Sequence, residues 1–320
     1  PGPGSGKLAT CLSQLYHENK RGVQAGYAKF ETFPIWNLPL NHPVNVAYEA
    51  ATADLKDVNK VDNFHLDAYG EITVNYNRDI EVFPVVRSIL AKITGKECIY
   101  KSPTDMGVNM AGYCIVDDEA CREASEKEII RRYLKAQCDL KSGVCKKDTV
   151  ERLEFLMSRL GITQSERKVI ECAREKSRQN DDCGAVALEL QDGRIVTGKN
   201  TQRMSASAAC VFNAVKMLAG IKDSQKLISP YVIGPIIDMK TKILKEHDKT
   251  LTLEEALLAL SICAASDATA ATAMEQLTQL DGCDAHSTHM LFKADENPFR
   301  KLGVRLSSDP EFLGDTLFNE

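Results

Sequence analysis

No apolar run in this chain approaches the ~20 residues that a membrane-spanning helix needs, and no signal-peptide pattern opens it. Neither charge sign dominates: 40 Lys plus Arg stand against 45 Asp plus Glu, a net charge of −5, with a pI near 5.8. That balance gives no general reason to expect nucleic acid or an anionic membrane as partner. The eleven cysteines include no Cys-x-x-Cys pair, and their number is odd and their spacing scattered. They read as reduced thiols used as small hydrophobes, with Cys11, Cys172, Cys210 and Cys263 inside apolar helical patterns, and this points to the cytoplasm. Internal repeats and low-complexity tracts are lacking too, so collagen, coiled-coil arrays and disordered chains are excluded. There is no initiator Met; either a front piece has been removed or the first residues are a cloning remnant.

What is present is an even composition, 43% hydrophobic and 27% charged over 320 residues, which suits roughly two domains with a large core. Residues 7–20 set Leu8, Cys11, Leu12, Leu15 and Tyr16 on one helical stripe, and Gly22 ends it. A short aromatic stretch, 26–32, reads as a strand. Helical pieces follow at about 45–56 and 79–94, the latter begun or interrupted near Pro84. From 125 to 178 the pattern is helical almost throughout. Ser125 with Glu128 predicts a capping box, a second helix stops at Gly161, and Thr163 or Ser165 starts a third.

The character changes at Asn180-Asp181-Asp182. Strands at 184–190 and 194–197 flank Gln191-Asp192-Gly193, a hairpin signal. Helices follow at 205–218, 253–265 and 268–280, then a strand at 285–293 and a helix at 295–302. Alternation of strands and helices predicts an α/β layer fold for this last portion. The expected division is 1–40, 41–180 (mostly helical, with polar loops) and 181–320.

Gly2-x-Gly4-Ser5-Gly6-Lys7, followed at once by an amphipathic helix, has the parts of a phosphate cradle. Glycines let successive N–H groups converge on oxyanions, the helix start adds partial positive charge, and Lys7 would reach the terminal phosphates. The pattern is incomplete: Leu8 stands where Ser or Thr would bind Mg²⁺, and no strand precedes the loop. Thr10, one turn on, would substitute through a water. Gly-Pro-Gly-Ser also occurs as a cloning remnant.

Pro1 to Lys7 running into Ala9–Glu18 resembles a bacterial "domain of unknown function" family, the one numbered eighteen forty-six. So do Ala28–Asn37, Val74–Asp79, Lys101–Gly112, Leu260–Ala265 and Asp295–Gly303, and the resemblance extends over essentially the whole chain. It implies that the glycines belong to the natural sequence and that the chain is the C-terminal two-thirds of a longer protein. The preceding part would then supply the rest of an α/β sheet and the strand entering the loop.

Two further loops gather chemistry. Lys101-Ser102-Pro103-Thr104-Asp105-Met106-Gly107-Val108-Asn109 reads as a polar site loop or as a helix N-cap with a turn. Arg78, in Asn75–Asp79, is placed to clamp a phosphate, whereas Asp79 reads equally as a cap. Asp54 and Asp57 read as solvated. His286 and His289 lie three apart in a stretch read as a strand, where they face opposite ways, so His286 reads as an ordinary hydrogen-bonded histidine rather than as a metal ligand. A hydrolase using His286 and Ser287 lacks a third group. The hairpin followed by the helix from Ser205 is similar to the start of the cytidine-deaminase-like fold. Met204–Cys210 nevertheless carries neither the ligand nor the Glu, and no Pro-Cys-x-x-Cys follows.

The expectation is therefore an α/β protein: a remnant of a P-loop-like or Rossmann-like domain, a largely helical middle, and a deaminase-like end without zinc ligands. Gly2, Gly4, Ser5, Gly6, Lys7, Thr10, Arg78 and Lys101 would bind ATP, GTP or another phosphorylated small molecule, with Mg²⁺ as a further expected cofactor. In a catalytic reading Lys7 would stabilise charge and Asp105 would orient a nucleophile or the metal, giving phosphoryl transfer or nucleotide hydrolysis. The alternative is a non-catalytic binding or assembly module. No nucleic acid or membrane is expected as partner, and a homo-oligomer is.

Overall fold

Residues 6–29, 34–107 and 110–313 are described by this computed structural model of the chain. They divide into two compact units, Pro1–Ile129 with Glu151–Ile162, and Ile130–Val150 with Thr163–Glu320. Positions 40 and 180, where divisions were expected, lie in turns within the first and the second unit respectively. Among the described residues no helix is long and apolar enough to cross a membrane.

In the N-terminal unit, α1 (Lys7–Lys20) lays Leu15 against Phe83, Val86 and Leu90 of α4 (Asn77–Thr94) and against Met106. Pro84 is carried inside α4, so the helix is continuous where an interruption was allowed for. Between them lie α2 (Pro43–Ala51), β1 (Asn59–Val61), α3 (Asn63–Tyr69) and β2 (Val74–Tyr76). β1 and β2 pair antiparallel, with Asn59 opposite Tyr76 and Val61 opposite Val74. This ribbon is the unit's one sheet among the described residues. Residues 26–29, expected to begin a strand, are extended without ladder partners, and 30–32 lie outside the described residues. Instead Tyr27 N–H donates to Tyr100 Oη (2.9 Å) and Lys29 N–H to Met106 O (2.7 Å).

α5 (Pro103–Met106) is a single turn, and α6 (Asp118–Lys141) and α7 (Lys147–Leu160) are divided between the units. Ser125 does not start α6. Asp117 takes the capping bond, its carboxylate accepting from Ala120 N–H (3.0 Å), so Ser125 lies inside the helix and its hydroxyl donates to Cys121 O (2.7 Å). Gly161, in a left-handed conformation (φ 70°), ends α7 as expected, and Thr163 caps a short 3₁₀ turn before α8 (Lys168–Arg178).

The C-terminal unit is built on a four-stranded mixed sheet of β3 (Ala185–Glu189), β4 (Ile195–Lys199), β5 (Asp284–Ser287) and β6 (Arg305–Ser308), in the order β4-β3-β5-β6. β3 runs antiparallel to both neighbours, whereas β5 and β6 are parallel. β3 and β5 are buried almost along their whole length, as central strands covered on both faces must be. α8 covers one face, with Val169 and Ala173 on Ala187. The other face carries α9 (Ala206–Ala219), α11 (Leu253–Ala264), α12 (Ala268–Glu275) and α13 (Lys293–Lys301) around Val186, Leu188 and Ala285. α10 (Pro230–Asp238), unforeseen because it holds Pro230 and Pro235, continues into a π turn, Met239–Ile243.

Of the cysteines read as core, Cys210 and Cys263 are buried, whereas Cys11 is exposed and Cys172 half-buried. Burial pushes the Cys210 thiol up to about 12, so it packs as an inert small hydrophobe.

Candidate functional site

α1 starts directly from a glycine. Gly6 is left-handed (φ 80°, ψ 12°) and caps the helix without a side chain; a left-handed residue followed by right-handed ones aims consecutive N–H groups into one concavity. The first intrahelical bond is Thr10 N–H to Gly6 O (3.0 Å), as at any helix start, where the first N–H groups precede the intrahelical ladder. The first turn carries no acidic residue to offset the positive end of the dipole. Thr10 Oγ1 donates back to Gly6 O (3.2 Å), which commits it to the backbone, and Leu8 is exposed. Gly2, Gly4 and Ser5 lie outside the described residues.

Arg78 opens α4 and is engaged: its guanidinium donates to Asp57 Oδ2 (2.6 Å). Asp57 is buried rather than solvated, contrary to expectation, because Arg78 neutralises it and Arg152 donates to its backbone carbonyl (2.9 Å). Asp54 is exposed, as expected. Next to Arg78 in the chain, Asp79 pairs with Lys29 Nζ (2.5 Å). Since Lys29 N–H also reaches Met106 O, this lysine joins the start of α4 to the end of α5. Gly107 makes that approach feasible: a Cβ there would lie 1.6 Å from Lys29 O.

In the 101–107 loop the capping role is realised. Ser102 Oγ accepts from Asp105 N–H (3.1 Å), and Asp105 Oδ2 accepts from Lys101 N–H (2.7 Å), Ser102 N–H (3.2 Å) and Tyr69 Oη (3.0 Å). Desolvation, then Asp105, pushes the Tyr69 hydroxyl above its ordinary value. Asp105 is thus a brace for the turn. Lys101 Nζ sits 5.5 Å over the Tyr69 ring and lines a groove of about 550 Å³ with Phe64, Asp67, Arg87 and Cys98. Val108 and Asn109 lie outside the described residues. Behind the loop, Ser102 Oγ and His65 Nδ1 are 2.8 Å apart, and Asp62 Oδ2 accepts from Thr104 Oγ1 (2.6 Å). The structure joins Lys101 to Asp105 and ties Arg78 to a separate carboxylate.

Two ion-pair centres were not foreseen, although the second contains His286, hydrogen-bonded as expected. In the N-terminal unit Glu49, 1% exposed, accepts from Arg152 (3.2 Å) and Arg159 (2.9 Å); the only signal was an i, i+7 arginine pair on α7. In the C-terminal unit His286 Nδ1 lies 3.0 Å from Ser307 Oγ and its Nε2 3.4 Å from Asp309 Oδ1, while Arg174 holds both Asp309 oxygens (2.6 and 3.0 Å). Arg167, wholly buried, pairs with Asp284 (3.1 Å) and donates to two strand carbonyls. Burial pushes both His286 and Asp309 toward their neutral forms. It prevails at His286, lowering its value, whereas hydrogen bonds from His286 and Arg174 hold Asp309 well below the usual carboxylate range. His289 is pushed down to about 4 by burial alone.

His286 and Ser287 do not act together. Side chains alternate along β5, so His286 meets Ser307 and Asp309 while Ser287 Oγ faces His289 (3.5 Å to Nδ1). Among the described residues no three His, Cys, Asp or Glu side chains are grouped to hold a metal.

The chain matches family models along nearly its whole length. Residues 1–161 match "Domain of unknown function DUF1846, N-terminal" and 165–318 match "Domain of unknown function DUF1846, C-terminal"; the two meet where Gly161 ends α7. A UPF0371 protein of Clostridium botulinum (strain Alaska E43 / Type E3) is 56% identical, one of Clostridium tetani 55% and one of Clostridioides difficile (strain 630) 54%. Each alignment covers 99% of this chain, which spans 65% of the relative's length. The chain therefore belongs to the DUF1846 family.

Proposed function

We propose that the loop entering α1 binds the phosphate of a nucleotide or other phosphorylated small molecule, and that it does so without turnover. The observation that carries the reading is the left-handed Gly6 leading straight into a helix whose first turn has no side-chain cap and no acid. Lys7 adds a cation at the point where phosphate oxygens would sit. Absence of turnover is supported by Leu8 at the Mg²⁺-ligand position, by Thr10 bonded to Gly6 O, and by Asp105 bound into its own turn. The runner-up is phosphoryl transfer or nucleotide hydrolysis with Mg²⁺, Lys7 and Asp105.

For the C-terminal unit, we read the β4-β3-β5-β6 sheet as a cytidine-deaminase-like scaffold without zinc chemistry. The antiparallel placement of β3 and the parallel β5–β6 pair support this, as does the lack of His and Glu in Met204–Cys210.

Isothermal titration with ATP and with GTP, wild type against Lys7→Ala, tests the binding reading. Loss of one charge-assisted contact predicts roughly 10- to 100-fold weaker binding. Equal affinity in both proteins, or no binding in either, sinks it. Release of inorganic phosphate in Mg²⁺ that Asp105→Asn abolishes would favour the runner-up.

A further inference from the structure

α10 and α11 break the rule by which a surface helix shows polar residues to water. α11 carries only two charged residues, Glu254 and Glu255, both in its first turn. Its inner face (Ala256, Ala259, Leu260, Cys263) fills the core, while Leu258 and Ile262, one turn apart on the outer face, are 61% and 59% exposed. α10, Pro-Tyr-Val-Ile-Gly-Pro-Ile-Ile-Asp, has no buried residue at all, and Tyr231 is 91% exposed. Beyond it Ile243 is 73% exposed, and Met239 and Leu244 are also open.

These helices are neighbours. Ser229 N–H, at the start of α10, donates to Cys263 Sγ near the end of α11 (3.4 Å). Lys240 Nζ, in the π turn, donates to Glu255 at the start of α11 (2.8 Å) and to Thr250 O (2.9 Å). The pair is therefore antiparallel, and α10 packs Val232, Ile233, Ile236 and Ile237 on the core that α11 fills, which leaves Tyr231 outermost. Helices that are apolar all round belong to buried environments, and π turns mark functional sites more often than chance.

We infer that α10, the π turn and α11 form a self-association face whose occupant is a second copy of this chain. Charge decides among occupants. From 238 to 255 four lysines are set against five carboxylates, Lys242 is paired with Asp238 (2.8 Å), and Lys240 is turned inward onto Glu255 and Glu246. The face thus has no single-sign field to draw an anionic membrane or a charged macromolecule. In a two-fold contact the patch meets its own copy, so an apolar, charge-balanced surface is complementary to itself. Six large side chains stand open on these helices and the turn, Tyr231, Met239, Ile243, Leu244, Leu258 and Ile262, each 45% exposed or more, and exposed apolar surface gathered in this way marks interaction sites.

Sedimentation velocity and light scattering on the whole chain test this, from about 1 to 100 μM. The expected mass at the upper end is twice 35.3 kDa. Leu258→Asp and Ile243→Asp, both at exposed positions, should weaken the dimer at least ~10-fold with unchanged circular dichroism. In wild type, amide exchange in 230–264 should slow as concentration rises, a readout that needs no variant. A chain that stays at 35.3 kDa throughout, or a dimer untouched by both substitutions, overturns the inference. So does a monomer that co-sediments with phosphatidylcholine–phosphatidylglycerol vesicles, which would assign the face to a membrane.

Discussion

Asp309→Asn removes the charge that holds the end of β6 against α8 while keeping the side chain's shape. In wild type both Asp309 oxygens accept from Arg174, at 2.6 and 3.0 Å, and the buried His286 lies 3.4 Å away. The amide keeps one accepting oxygen, so one hydrogen bond survives in neutral form and the other meets an NH₂ group. Removing one partner of a fully buried ion pair costs about 3–5 kcal/mol, and of an exposed one about 0–1 kcal/mol. Asp309 is 14% exposed and Arg174 34%, so screening takes the expected loss to about 2–3 kcal/mol. For a unit of this size that corresponds to a fall of roughly 4–12 °C in Tm. The pH dependence has a definite sign. Asp309 is held below its unfolded value, so its contribution is complete above the unfolded carboxylate range near 4 and is lost as pH falls toward the folded value. The difference between wild type and Asp309→Asn in urea unfolding, followed by circular dichroism, should be constant from about pH 7 to 5 and shrink below about pH 4. A difference under about 0.5 kcal/mol at pH 7, typical of a bare surface change, or one that grows on acidification, would refute the reasoning.

Other consequences are open to the same methods. His289 sits at about 4, below its unfolded value near 6.5, so the unfolded chain takes up the proton first and stability falls between these values. About 2 kcal/mol should be lost by pH 5 through this group, and His289→Phe should remove that part of the slope in urea titrations at pH 7, 6 and 5. Gly107→Ala would place a methyl 1.6 Å from Lys29 O and force the 26–29 segment away from α5. A loss of at least about 2–3 kcal/mol is expected, with faster exchange at Lys29 N–H; an unchanged midpoint would contradict the packing described.

The helices that could be read from the sequence are those whose signals are local. α1, α7, α9 and α11 were each announced by a stripe and a stop or cap within a few residues, and the β3–β4 hairpin by Asp192-Gly193 between two apolar runs. Ser125 misled because a nearer cap, Asp117, lay outside the periodic stretch. β1, β2 and β6 are three or four residues long, too short to show a period. Asp57 seemed solvated because its partner, Arg78, stands on another element.

By itself the sequence determined the helices with local stripes and stops, such as α1, α7, α9 and α11, the mixed α/β class of the C-terminal unit and the glycine–lysine entry to α1, since each depends on residues a turn or two apart. Only the tertiary structure decided what the polar residues do. It bound Asp105 into its own turn, paired Arg78 with Asp57 and set Arg174 on Asp309, 135 residues away. Among the described residues it also left the outer faces of α10 and α11 uncovered. Whether a charge is a tool or a brace depends on the counter-charge folded against it, and whether an apolar face is core depends on what packs over it; neither is encoded locally.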